Sequence, residues 1–173
     1  MPAQYNNEPI SKDLIVQLLE AANWAPTHKQ TEPWRFKVVY GESQVDLGRF
    51  LAKKYKATAD KYSEFKYNKI KERMDKAGAV IVICMQRDKN EILPEWEEIA
   101  ATAMAVQNMW LMATSLGIGA YWSSPLLIKY MDEFINLEEG ERCLGFFYIG
   151  NYDGAPPERV PGNSEEKVTW ISS

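Results

Sequence analysis

The chain has 173 residues, enough for one domain with a sizeable core. Apolar residues make up 46% and charged residues 25%, the balance of an ordinary globular protein rather than a disordered or fibrous one. A net charge of -4 and a pI near 5.2 give no support to a nucleic-acid or membrane-binding surface.

Six Trp residues are many for this length, and such rings are costly to leave in water, which points to an interface or a ligand pocket. The two cysteines, Cys84 and Cys143, lie in apolar runs without metal-ligand spacing. They read as buried strand residues, not as a disulfide framework, so the expected setting is cytoplasmic. The opening residues 1–9 are polar and lack the apolar stretch of a signal peptide, and no run approaches membrane-spanning length.

In chain order, Ser11 is placed to cap a helix running to about Asn23, with Leu14, Ile15, Leu18, Leu19 and Ala22 as its apolar stripe. Pro26 disfavours helix at Ala25. A polar loop follows, and Trp34 to Tyr40 reads as a strand stopped by Gly41. Residues 44–76 are helical in pattern and rich in Lys along one side, a solvated face. Ala77 to Met85 is a continuous apolar run, as expected of a central strand.

The longest predicted helix runs from Pro94 to Gly117, with apolar residues on more than one face. A helix apolar nearly all round is buried. A domain of this size has little room for it at its centre, so a subunit interface is inferred. Ile118 to Ser123 is strand-like, Leu126 to Phe134 a short helix, and Cys143 to Ile149 a strand ended by Gly150. The tail from Asn151 is proline-rich and ends in Val168, Trp170 and Ile171, which suggests an extended arm whose apolar tip docks elsewhere. The pattern predicts a single α+β domain over 1–173, a sandwich of helices against one sheet of about four strands, with 151–173 as the arm.

The familiar catalytic and nucleotide motifs are absent: there is no nucleophile elbow, P-loop, HExxH or GxGxxG. A single histidine, His28, rules out a two-histidine metal site, and no metal is expected. The acid pairs Glu97–Glu98 and Glu138–Glu139 read as solvated. Two segments remain. Ala25 to Trp34 (APTHKQTEPW) packs hydrogen-bonding side chains between prolines. Gly117 to Pro125 (GIGAYWSSP) runs a tight turn into two aromatics and two hydroxyls. Either segment alone is as well explained by turn formation and core packing.

Together, in this order, they resemble the nitroreductase family of FMN-dependent enzymes, in particular its compact single-domain branch. The strand LGFFYIG and the tail ending KVTW add to the likeness, which covers most of the chain. The resemblance implies a homodimeric α+β sandwich around a mostly antiparallel sheet, with two FMN sites, each built from both subunits. The long apolar helix becomes the dimer core and the tail embraces the partner. It also implies FMN contacts from Thr27, His28, Lys29 and Gln30, from Trp122, Ser123 and Ser124 near the flavin N5 and O4 edge, and from Arg159 to the phosphate. No side chain is implied as an obligatory catalytic acid or base. NAD(P)H is the implied hydride source, and a small nitroaromatic, quinone or enone the implied acceptor.

The chain departs from the family pattern at its start. Members normally begin with an Arg-Arg-Ser stretch that holds ribityl and phosphate oxygens, whereas this sequence begins Met-Pro-Ala-Gln-Tyr. Charge-assisted phosphate contacts are strong, so their loss implies weaker flavin binding, by several kcal/mol. Trp24 is a second departure, standing where related chains can carry Arg. Three other readings fit the same residues: a flavin-binding protein without turnover, a relative with flavin fragmentation or dehalogenation chemistry, and a flavin-free scaffold.

Overall fold

A computed structural model describes residues 5–155, 158 and 160–172. Helix α1 (Lys12–Asn23) starts where the Ser11 hydroxyl accepts from Leu14 N at 3.2 Å. It buries Ile15, Leu18 and Ala22 and stops before Pro26. Strand β1 (Trp34–Val39) follows, then α2 (Glu42–Thr58), α3 (Glu64–Asp75), β2 (Ala79–Gln86), α4 (Glu95–Ser115), β3 (Gly119–Ser123) and β4 (Glu141–Gly150).

Residues 44–76 do not form one helix. The chain is extended at Ala59, and the Ser63 hydroxyl caps α3 by accepting from Lys66 N. The Tyr55 hydroxyl braces the break, donating to Lys61 O and accepting from Ser63 N. The buried Gln44 side chain then ties α2 to the end of α3, donating to Met74 O at 2.7 Å and Ala77 O at 2.9 Å. The segment Leu126–Glu133 is helical, but as a tighter 3-10 coil.

The four strands form one antiparallel sheet in the order β1-β2-β4-β3. Side chains alternate across β2. Ala79, Ile81 and Ile83 join the cluster built with α1 and α4, while Val80, Val82 and Cys84 join the one built with α2 and α3. Both faces are thus covered, which is why β2 reads as an unbroken apolar run although its neighbours are antiparallel. Among the described residues, no helix is long and apolar enough to cross a membrane.

Helix α4 is not buried all round within one chain. Ala101, Ala105, Val106, Met109 and Ala113 face the sheet and α1. A second stripe carries Trp96, Met104 and Leu111, with Trp96 67% and Leu111 60% exposed. The tail residues Val168, Trp170 and Ile171 are exposed as well, so the apolar tip is not buried against the described residues.

Candidate functional site

The loop after α1 is held in an unusual backbone. Lys29, Gln30 and Glu32 all have positive φ (55°, 56° and 41°), although none is glycine. Left-handed conformations of this kind cost about 1–3 kcal/mol each and persist only where surrounding contacts enforce them.

Those contacts are visible. Thr27 Oγ1 lies 3.2 Å from Thr31 Oγ1 and accepts from Glu32 N at 3.2 Å. Trp34 Nε1 donates to Asn23 Oδ1 at 3.1 Å, and Pro33 O accepts from Gln86 N at 2.8 Å. His28 Nδ1 lies 2.7 Å from Glu97 Oε2 in the first turn of α4. The imidazole therefore presents only Nε2 outward. The Lys29 and Gln30 side chains are exposed and make no hydrogen bond to any described residue.

The second segment is positioned by the end of α4. Gly117 takes φ 71°, Gly117 N donates to Thr114 O at 3.1 Å, and Ile118 N to Ala113 O at 2.8 Å. This is a Schellman termination, which needs a residue tolerant of positive φ and releases the chain directly into β3. On one side of β3, Tyr121 stacks on Tyr148 with ring centroids 4.7 Å apart. Burial pushes both phenols upward in pKa.

On the other side, Trp122 crosses β4 over Gly145. A Cβ at Gly145 would sit 2.2 Å from Trp122 Nε1, 2.8 Å from Ser123 O and 2.9 Å from Ser124 Oγ. The Trp122 Nε1–H is buried and has no acceptor among the described residues. Ser124 Oγ donates to Leu144 O at 2.9 Å.

Within one chain the two segments do not meet. β1 and β3 are opposite edge strands, three interstrand steps apart, or ~14 Å at the usual spacing. Both segments nevertheless lie toward the same end of the sheet. Trp34 opens β1 opposite Met85, which pairs with Arg142 near the start of β4, and Ser123 closes β3 opposite Phe146. Thr27, His28, Lys29 and Gln30 form one group and Trp122, Ser123 and Ser124 another. Arg159 lies outside the described residues.

Two acids expected to be solvated are instead engaged by the protein, Glu97 while still partly exposed. Glu97 holds His28, and the Glu98 side chain is fully buried, accepting from Arg87 and from Asp88 N at 3.0 Å. The paired carboxylate holds the Arg87 guanidinium above its ordinary pKa. The acids' sequence neighbours gave no sign of this, because their partners lie on distant segments. Glycine 145 was also missed, since a lone glycine in a strand marks a close approach without saying of what. Among the described residues no cluster of His, Cys, Asp or Glu is arranged to hold a metal ion.

Comparison with known proteins bears on this arrangement. The family model described as the Nitroreductase family matches residues 4–151. YfhC of Bacillus subtilis (strain 168), provisionally named an NAD(P)H nitroreductase, is 30% identical over 156 residues, spanning 88% of this chain and 80% of the relative. The crystal structure of a nitroreductase-like family protein from Bacillus cereus superposes with a TM-score of 0.81 at 31% identity, covering 98% of this chain and 90% of the other. A nitroreductase from Bacteroides fragilis NCTC 9343, crystallised with bound FMN, shares the fold at a TM-score of 0.71 and 21% identity, covering 99% of this chain and 93% of its own. The family match spans the strained loop, the long helix, all four strands and the turn after β3, so the chain belongs to the nitroreductase family.

Proposed function

We propose that this chain is an FMN-dependent oxidoreductase, working as a homodimer, that passes a hydride from NAD(P)H to a small electrophilic acceptor such as a nitroaromatic, quinone or enone. The observation that carries this reading is the left-handed run at Lys29 and Gln30, because backbone strain at a solvent-facing loop concentrates at ligand clamps. Membership of the nitroreductase family and the FMN found in the Bacteroides fragilis relative support the choice of cofactor.

The donor set suits a flavin, whose ring edge and phosphate are rich in acceptors. Thr27, His28, Lys29 and Gln30 offer hydroxyl, imidazole, ammonium and amide groups on one wall. Trp122 contributes an indole N–H that has no acceptor among the described residues, and Ser123 and Ser124 offer main-chain N–H groups. Arg159 is the candidate phosphate partner. When bound, FMN supplies the hydride-transfer chemistry through its N5, and the protein's part is to bind, orient and tune it. Lys29 would place positive charge, and His28 a ring nitrogen, beside the ring of a bound flavin, where negative charge would be stabilised. Glu97 fixes the imidazole so that Nε2 faces outward.

Because the two walls lie on opposite edges of one sheet, each site is completed by the partner: the loop of one chain faces the turn of the other. The exposed stripe Trp96, Met104 and Leu111 on α4 supplies the apolar surface that brings two copies together.

The test is an absorbance spectrum of the purified protein before and after adding FMN, followed by NADH and NADPH oxidation with a nitroaromatic acceptor. Flavin bands and acceptor-dependent turnover are expected. A colourless protein that FMN does not protect against thermal unfolding would overturn the reading.

A further inference from the structure

The bulge in β4 brings the protein's only two cysteines face to face. On the β2–β4 ladder Ile83 pairs with Gly145 but Cys84 pairs with Cys143, so Leu144 is an extra residue. Strict alternation from Phe146 and Tyr148, which face α2 and α3, would turn Cys143 to the opposite side of the sheet. The inserted residue reverses that parity, and Cys143 packs with Cys84 in the same cluster. Directly opposed residues on antiparallel strands have Cα atoms about 4.5–5.5 Å apart, inside the range a disulfide spans. Both are free thiols.

We propose that Cys84 and Cys143 form a reversible intrachain disulfide when the protein meets a hydroperoxide, making the β4 bulge a redox-responsive clamp. Cys143 is the reacting thiol and Cys84 the resolving one. Cys143 is half-buried and Cys84 fully buried, so a small oxidant reaches the former. The proximity of the two sulfurs holds the Cys143 thiol below its usual pKa and, with burial, pushes Cys84 upward, which makes Cys143 the more readily ionised of the two. The nearby charged groups are Lys37, which lowers Cys84, and Glu141, which raises both and is paired with Lys37 at 2.9 Å.

The reaction is balanced by one peroxide per pair. The Cys143 thiolate attacks a peroxide oxygen; an S–O bond forms, the O–O bond breaks, and the departing hydroxide takes up a proton as water. Cys84 Sγ then attacks Cys143 Sγ; the S–S bond forms, the S–O bond breaks, and the second hydroxide leaves with the Cys84 proton. The two thiols are oxidised and hydrogen peroxide is reduced to two waters, an organic hydroperoxide to an alcohol and one water. The clamp reaches the turn after β3, because the bulged Leu144 carbonyl holds Ser124.

The full-length chain is treated with hydrogen peroxide, alkylated in denaturant, digested without reductant and mapped by mass spectrometry. The expected result is a peptide pair joined through Cys84 and Cys143, with titratable thiols falling from two to none and restored by dithiothreitol. The oxidised chain is expected to melt several degrees higher, with slower amide exchange at residues 122–124. In Cys84→Ser, Cys143 is expected to stop at a sulfenic acid that dimedone traps. Two thiols that survive treatment, Cys143 advancing to sulfinic acid beside an alkylatable Cys84, or linkage between chains would each overturn the proposal. The wild-type peptide map decides the matter even if substitution at Cys84 prevents folding.

Discussion

His28 and Glu97 stand 69 residues apart in sequence and 2.7 Å apart in space, so the loop carrying the chain's only histidine is tethered to the first turn of α4. The bond does two things. It selects the imidazole nitrogen that remains free, and it couples the strained loop to the helix that also bears the exposed apolar stripe.

Glu97→Ala is expected to release that tether. Exposed pairs of this kind contribute about 0–1 kcal/mol, so thermal stability should fall by no more than that. FMN affinity should fall further, by about tenfold or ~1.4 kcal/mol, because the loop loses its fixed geometry. Fluorescence titration with FMN beside a thermal melt separates the two effects. Equal losses in both would remove the positioning role of Glu97.

Gly145→Ala drives a methyl group into Trp122 Nε1, Ser123 O and Ser124 Oγ together. Two of these three contacts are with the turn itself, so the strand exit must shift rather than one side chain rotate. A loss of about 1–3 kcal/mol is expected in urea unfolding, the usual cost of overpacking. Weaker FMN binding should accompany it. A fully stable variant with unchanged binding would show that Trp122 relaxes freely.

Glu98→Ala leaves the Arg87 guanidinium without its buried carboxylate and Asp88 N without its acceptor. Loss of the buried carboxylate is expected to lower stability, although Arg87 keeps Leu93 O as an acceptor and has access to water. Denaturant unfolding checks this, and an unchanged midpoint would mean that water replaces the pair.

Leu111→Glu and Met104→Lys place charge on the exposed stripe of α4 without touching its sheet-facing residues. Sedimentation is expected to find the wild-type chain dimeric and the double variant monomeric, still folded but unable to retain FMN. A monomeric wild-type protein that holds FMN would contradict the shared site.

Several elements were legible in the sequence because they rest on local chemistry. Ser11 and Pro26 bound α1, Gly117 ends α4, and the apolar run at Ala77 to Met85 marks β2, which spans Ala79–Gln86. The break between α2 and α3 was not legible, because it depends on the Tyr55 hydroxyl reaching forward to Lys61 and Ser63. The burial of Glu98 was hidden in the same way. A charged residue in a helical first turn looks solvated until its distant partner is known.

The sequence by itself determined the α+β class, the order of the elements and the two polar segments that resemble flavin-contacting loops, since periodicity, caps and turn residues act over a few positions. Only the tertiary structure decided that those segments lie on opposite edges of one sheet, that Glu97 holds His28, and that an extra residue at Leu144 turns Cys143 toward Cys84. These relations depend on strand order and register. Both are set by long-range pairing and by packing on two faces of the sheet, which no local stretch of sequence encodes.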